Sequence, residues 1–191
     1  MKKMRTIIAA VLACATALSF TGCGNAKKLQ DEDFFYDALD KGAKLDDDDC
    51  YHEKNAYVNG DKVEYMIYSH DGDNYYTYLR FKDADDAMDY FEDHFYDSFA
   101  DAVDDDAFEG YRKASVSKTA ATVVFNGELE DSTPLYFYAS SFYFYSDTEL
   151  YGGVYLVNNV YIEVFSVEGS KRDKEKIDNV IKNLGFPKPQ S

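Results

Sequence analysis

The stretch that decides the fold is residues 150–167, which read LYGGVYLVNNVYIEVFSV. Two apolar runs flank the pair Asn158-Asn159, and asparagine tolerates the left-handed backbone conformation that tight hairpin turns use. The pattern therefore predicts a β-hairpin with Tyr155 opposite Ile162 on one side of an antiparallel sheet.

Several other segments have the composition of strands and turns. Alternating or β-rich runs predict strands at 62–69, 75–81, 112–118 and 121–128. Turns are expected at Asn59-Gly60, Asp71-Gly72 and Asn126-Gly127. The aromatic run 135–145 is apolar on both faces, which favours a central strand or a bent pair of strands.

Three segments carry helix signals. Asp31 can cap a short first helix that Gly42 would end, and residues 83–103 form an amphipathic second helix. Ser170 and Gly185 bracket the last helix, and Pro187 forbids its continuation. The predicted fold is α+β: one antiparallel sheet of about five to seven strands, with about three helices packed mainly on one face.

The second helix separates apolar from acidic residues. One face carries Phe91, Phe95 and Phe99, and the opposite face carries a row of aspartates four residues apart. Like charges at this spacing destabilise a helix by roughly 0.2–0.5 kcal/mol per pair. Basic partners from other elements, screening by salt, or bound cations can offset that cost. If metal binds, the candidate ligands are Asp89, Asp93, Asp97 and Asp101, as a weak, distributed Ca²⁺ surface; otherwise we expect no cofactor.

Charge and cysteine content exclude several functional classes. The 191-residue chain has a net charge of −16, which argues against nucleic acid and favours basic partners. Cys50 lies beside Asp46–Asp49, a setting that raises a thiol pKa and favours an inert thiol. No zinc, redox or nucleotide-binding motif is present. A carboxylate-dependent hydrolase remains an alternative, with Glu163 and Glu128 as candidate residues.

The N-terminus has the layout of a secretory signal. Lys2, Lys3 and Arg5 precede an uncharged, mostly apolar run that ends in Thr21-Gly22-Cys23. This arrangement resembles the signal and lipobox of bacterial lipoproteins, and the chain as a whole resembles small Gram-positive surface lipoproteins. The resemblance implies that residues 1–22 are removed and that Cys23 carries lipid.

Two other interpretations of this N-terminus remain open. Ordinary secretion would place the cleavage site after the small-residue pattern Ala15-Thr16-Ala17. The other interpretation is an uncleaved membrane-spanning helix, although the apolar run is shorter than the ~20 residues that a bilayer core needs.

With the lipoprotein interpretation, the chain divides into four parts. They are the signal (1–22), a lipidated cysteine with a flexible tether (23–30), a single α+β domain (31–187) and a frayed tail (188–191). The protein is then expected on the extracytoplasmic face of the cell membrane, held by its lipid.

The tyrosine content suggests a function for the domain. A sheet face with several exposed tyrosines can stack on sugar rings or grip a peptide. We therefore predict a non-catalytic binding or accessory module for a protein, peptide or glycan. The candidate ligand-binding residues are Tyr65, Tyr76, Tyr78, Tyr143 and Tyr145. Recruitment of calcium or a basic partner by the acidic helix is a further alternative.

Overall fold

The computed structural model describes residues 27–130, 133–138 and 147–190. Its centre is a seven-stranded antiparallel sheet with the strand order β1-β4-β5-β9-β8-β7-β6, and β2 and β3 form a separate small hairpin. The strands are β1 (Tyr51–Lys54), β2 (Tyr57–Val58), β3 (Asp61–Lys62), β4 (Tyr65–Asp71), β5 (Asn74–Arg80), β6 (Phe108–Ser117), β7 (Ala120–Leu129), β8 (Thr148–Val157) and β9 (Val160–Val167).

The β8–β9 hairpin occupies the middle of the sheet, as its sequence predicts. Tyr155 lies opposite Ile162, and Asn158 takes the left-handed conformation with φ 54° at the turn. Because β8 and β9 have strands on both sides and apolar residues on both faces, the burial of their side chains anchors the core.

In the part of the chain that the structure describes, three helices pack on the sheet. Helix α1 is Glu32–Ala43 and helix α3 is Lys171–Leu184. Helix α2 comprises residues 84–104, in which the α-helical segments Ala84–Phe91 and Asp97–Asp104 are joined by a π-helical turn, Glu92–Tyr96.

The predicted caps of α1 and α3 are confirmed except at the end of α1. The side chain of Asp31 accepts from the backbone N–H of Asp33, and Ser170 caps α3. Gly185 ends α3 with φ 81°, and the Phe186 N–H donates to the Ile181 carbonyl at 3.0 Å in a Schellman-type arrangement.

The prediction that Gly42 ends α1 is wrong, because the left-handed cap residue is Lys44. Gly42 instead lies where α1 crosses α3. A Cβ at this position would stand 2.6 Å from Val180 Cγ2 and 2.9 Å from Val180 Cα. The glycine is required for the close approach of two helix backbones.

Two further predictions of local structure are wrong. Asn126-Gly127 is not a turn but part of β7, where Gly127 lets the backbone of Glu109 on β6 approach closely. The described part of the aromatic run, 135–138, is not a sheet strand but crosses one face of the sheet, with Leu135 and Phe137 buried against it. The rest of that run lies outside the described residues.

The sheet is covered on both faces, which gives two hydrophobic cores. Helices α1 and α3 pack on one face, called here the two-helix face, over residues such as Ile67, Tyr78 and Ile162. Helix α2 and the β2–β3 hairpin pack on the other, the α2 face, over residues such as Leu79 and Phe165. The α+β prediction is confirmed: the described residues form a seven-stranded antiparallel sheet, a small two-stranded sheet and three helices that pack on the large sheet, two of them on the same face.

The ordered domain extends beyond the predicted boundaries at both ends. Leu29, assigned to the tether, is only 1% exposed, and its carbonyl accepts from the Tyr78 hydroxyl at 2.8 Å. In the expected frayed tail, Lys188 pairs with Asp178 and the Gln190 carbonyl accepts from Asn126. Among the described residues, no helix is long and apolar enough to cross a membrane.

Candidate functional site

The predicted tyrosine patch is wrong for the three residues that the structure describes. Tyr65 is 5% exposed and Tyr76 and Tyr78 are fully buried, all on the two-helix face beneath α1 and α3. That face is covered because α1 and α3 both pack on it. Tyr143 and Tyr145 lie outside the described residues.

The buried tyrosines Tyr65 and Tyr78 pack against neighbouring side chains of the domain. The Tyr65 ring lies 6.3 Å from the His52 ring, and Arg80 and Lys54 each lie 5.7 Å from its centroid. Tyr78 tilts against Phe35 of α1 with ring centroids 5.4 Å apart. The contact between Phe35 and Tyr78 attaches α1 to the sheet, whereas the contacts of Tyr65 join it to neighbouring strands.

A different set of aromatic side chains gathers on the α2 face, beside the area that α2 covers. We call it the tyrosine surface. It consists of Tyr51 on β1, Tyr68 and His70 on β4, Tyr75 on β5 and Tyr138 in the crossing segment 133–138. Tyr51 is 57% exposed, His70 is exposed, and the other three are half-buried.

The rings of the tyrosine surface contact one another and the core. Tyr68 meets Tyr138 edge-to-face, with centroids 6.1 Å apart and planes at 80°. The His70 ring stacks with Tyr75 at 6.4 Å, and Tyr75 stacks on buried Phe165 at 5.3 Å. Strand register places Tyr51 opposite Tyr68 and His70 opposite Tyr75. The sheet therefore fixes the relative positions of rings from separate parts of the chain.

A buried carboxylate lies next to this surface. Glu163 on β9 is fully buried on the α2 face, directly opposite Thr77 of β5. Its Oε1 accepts from the Tyr161 hydroxyl at 2.6 Å and from the Tyr138 N–H at 2.9 Å. The carboxylate thus attaches the crossing segment, and with it the Tyr138 ring, to the sheet.

The hydroxyls of the tyrosine surface are neutral donors near physiological pH. Burial raises the pKa of Tyr68, and the neighbouring Tyr75, Tyr138 and Glu163 raise it further. Burial likewise raises the pKa of Tyr138, with additional effects from Tyr51, Glu163 and Glu53. A ligand would therefore meet aromatic faces with hydrogen-bonding hydroxyls, and these tyrosines are poorly suited to act as bases.

The two candidate carboxylates for hydrolysis do not form a pair. Glu163 lies on the α2 face with Tyr161 and Phe165, whereas Glu128 on β7 lies on the two-helix face, opposite Glu109 and Glu149. Because the sheet separates them, they cannot flank one scissile bond.

The acidic row on α2 lines a groove. Asp93, Asp97, Asp101 and Asp105 border a cavity of about 480 Å³, together with Pro134 and the exposed Tyr136. Asp89, the fourth predicted ligand, is exposed but does not line it. No three His, Cys, Asp or Glu side chains in the described part of the chain are arranged to hold a metal ion.

The strands do not neutralise the acidic row. The one ion pair to α2 within the described ranges joins His94 Nε2 to Asp61 Oδ2 at 3.0 Å, and no Lys or Arg of those ranges pairs with an α2 aspartate. Of the three sequence-based explanations for the row, basic partners from other elements are therefore absent over these residues.

Cys50 has the environment that its sequence neighbours predict. The half-buried thiol donates to the Asp46 carbonyl at 3.2 Å. Burial raises the pKa of Cys50 to about 11, with additional contributions from Asp49, Asp46 and Asp47. Because the thiolate is the nucleophile, this cysteine is poorly reactive at neutral pH.

Comparisons with known proteins add no family to this picture: no protein-family model, curated protein or solved structure matches the chain. The residues of the tyrosine surface must therefore be interpreted from their own geometry. The sequence did not predict the roles of Tyr51, Tyr68, Tyr75 and Tyr138. The available signal was that Tyr68 and His70 alternate with Tyr65 and Ile67 along β4 and so fall on the opposite face of the strand.

Proposed function

We propose that this protein is a membrane-anchored, extracytoplasmic binding module without catalytic activity, and that its ligand docks on the tyrosine surface. The observation that carries the proposal is the gathering of Tyr51, Tyr68, Tyr75 and Tyr138 from β1, β4, β5 and the crossing segment. Partly exposed tyrosines offer a large, rigid contact area at low entropic cost, with a polar tip for hydrogen bonds. A peptide or a glycan fits this chemistry.

The binding proposal can be tested by screening the protein against glycan and peptide arrays. We expect ligands whose signal falls at least about fivefold in Tyr51→Ala and Tyr68→Ala, since losing a central aromatic contact that costs more than about 1 kcal/mol weakens binding by this factor. Tyr57→Ala is the matched control, because Tyr57 is 73% exposed and lies on β2, outside the tyrosine surface. Ligands that bind all variants equally would place the binding site elsewhere.

The anchor is supported by the N-terminal pattern that ends in Cys23. In the producing cell, Cys23→Ala should abolish incorporation of an alkyne-tagged fatty acid and release the protein from the membrane fraction. Cys50→Ala is the control and should keep the label. If the Cys23 variant still incorporates the fatty acid, the lipoprotein interpretation is wrong.

The acidic groove favours a second candidate function, recruitment of a basic partner. Its aspartates lack Lys or Arg partners over the described residues, and Tyr136, 45% exposed, adds an apolar contact beside them. Such binding would weaken strongly with ionic strength, because exposed charges are screened by salt. Binding on the tyrosine surface would depend less on salt, which distinguishes the two candidates.

A further inference from the structure

The surroundings of the tyrosine surface are negative. The Tyr51 hydroxyl donates to Glu53 Oε2 at 2.7 Å, so an exposed glutamate borders the rings. The face of an aromatic ring is itself negative, because its quadrupole places electron density above and below the plane. Glu53 and the ring faces therefore act together on any group that approaches.

The chain places its own cations over other rings. Lys54 and Arg80 lie over Tyr65, and Lys174 lies 5.5 Å from the centroid of Tyr151, all on the two-helix face. No Lys or Arg of residues 27–130, 133–138 and 147–190 lies over Tyr51, Tyr68 or Tyr138. These three rings have the chemistry of a cation–π site without an internal cation.

Tyr68 and Tyr138 also have a suitable relative orientation. Their planes meet at 80° with centroids 6.1 Å apart, so the two rings form a corner with a ring face on each wall. A cation within about 6 Å of a ring centroid is attracted to it, and quaternary ammonium groups are bound by such aromatic walls.

We propose that the tyrosine surface binds an organic ammonium cation, whose head group lies in the corner formed by Tyr68 and Tyr138. This inference rests on the proposed function and narrows its ligand to a peptide or glycan that bears such a group. A bulky ammonium group is weakly hydrated and makes contact with ring faces, whereas Ca²⁺ requires a set of six to eight oxygen ligands.

The test compares choline with its neutral carbon isostere, 3,3-dimethylbutan-1-ol, by NMR of the full chain labelled with ¹³C in the tyrosine rings. We expect choline to shift the Tyr68 and Tyr138 signals saturably. The isostere should bind at least about fivefold more weakly, since a cation–π contact contributes roughly 1 kcal/mol or more.

Paired variants separate the role of the ring from that of the hydroxyl. Tyr68→Phe keeps the ring and should retain choline binding, whereas Tyr68→Leu removes it and should weaken binding by about five- to tenfold. Tyr57→Leu should have no effect. If Tyr68→Leu fails to fold, the pair Tyr138→Phe and Tyr138→Leu makes the same comparison.

The outcomes distinguish this inference from the proposed function. Equal binding of choline and the isostere would mean that the surface recognises apolar shape. That result would overturn the proposed preference for an ammonium cation but would leave the tyrosine surface as a binding site. An absence of tyrosine shifts with choline would also overturn the inference. The array screen with Tyr51→Ala and Tyr68→Ala then decides the proposed function independently.

Discussion

Raising the pH from 9 to 11 is expected to remove about 7 kcal/mol from the free energy of unfolding, because five buried tyrosines resist ionisation in the folded state. They are Tyr76, Tyr78, Tyr90, Tyr155 and Tyr161, none more than 2% exposed. Burial is the largest cause of the raised pKa in each of them. A loss of this size is comparable to the whole stability of a typical domain.

The direction of the effect follows from where each state binds protons. Below pH 10 these tyrosines are neutral in both the folded and the unfolded chain, so they do not make stability depend on pH. Above pH 10 the unfolded chain releases their protons while the folded chain retains them. Each tyrosine then favours unfolding by about 1.4 kcal/mol per pH unit.

Absorbance at 295 nm, followed together with circular dichroism during an alkaline titration, measures this effect. We expect the five buried tyrosines to ionise in a steep step that coincides with loss of structure. Normal titration of all tyrosines near pH 10 with the fold intact would contradict the prediction. Tyr57→Phe is a control that should leave the unfolding step unchanged.

Replacing Glu163 with alanine is expected to lower the free energy of unfolding by about 2–5 kcal/mol, since buried donors lose their acceptor and a cavity remains. The donors are the Tyr161 hydroxyl, on a residue 1% exposed, and the N–H of Tyr138. Because that N–H attaches the crossing segment to the sheet, the variant should also displace the Tyr138 ring. Chemical denaturation measures the first effect, and the ¹³C signal of Tyr138 reports the second.

Two comparison variants test the cause. Glu163→Gln keeps a carbonyl oxygen that can accept from both donors, so it should be less destabilising than the alanine variant. Glu109→Ala removes an exposed strand glutamate from β6 and should change stability by no more than about 0.5 kcal/mol. If Glu163→Ala matches wild type in stability, the carboxylate does not hold this part of the core.

The elements predicted best are those whose signals are local. The β8–β9 hairpin has a turn pair that accepts positive φ and apolar runs of matching length, so its register follows from the sequence. Helix α3 has a cap at Ser170, an apolar stripe and a glycine at its end, and each feature acts within a few residues. Local sterics and local hydrogen bonds favour such elements independently of distant contacts.

The candidate site was not predicted because it depends on distant contacts. Successive residues of a strand point to opposite faces, so Tyr65 and Tyr68 belong to different surfaces of the same sheet. Which face stays open depends on where helices pack. Gly42 illustrates the same dependence, since its role is the close approach of α3 and not the end of its own helix.

The sequence by itself determined the fold class, the central hairpin, the caps of α3, the acidic face of α2 and the inert setting of Cys50. The reason is that periodicity, capping and neighbouring charges act over a few residues. Only the tertiary structure decided that Tyr76 and Tyr78 are core residues, that Glu163 and Glu128 are separated by the sheet, and that Tyr68 and Tyr138 meet. Those arrangements depend on strand order and on which helix covers which face, and both are set by contacts between residues far apart in the chain.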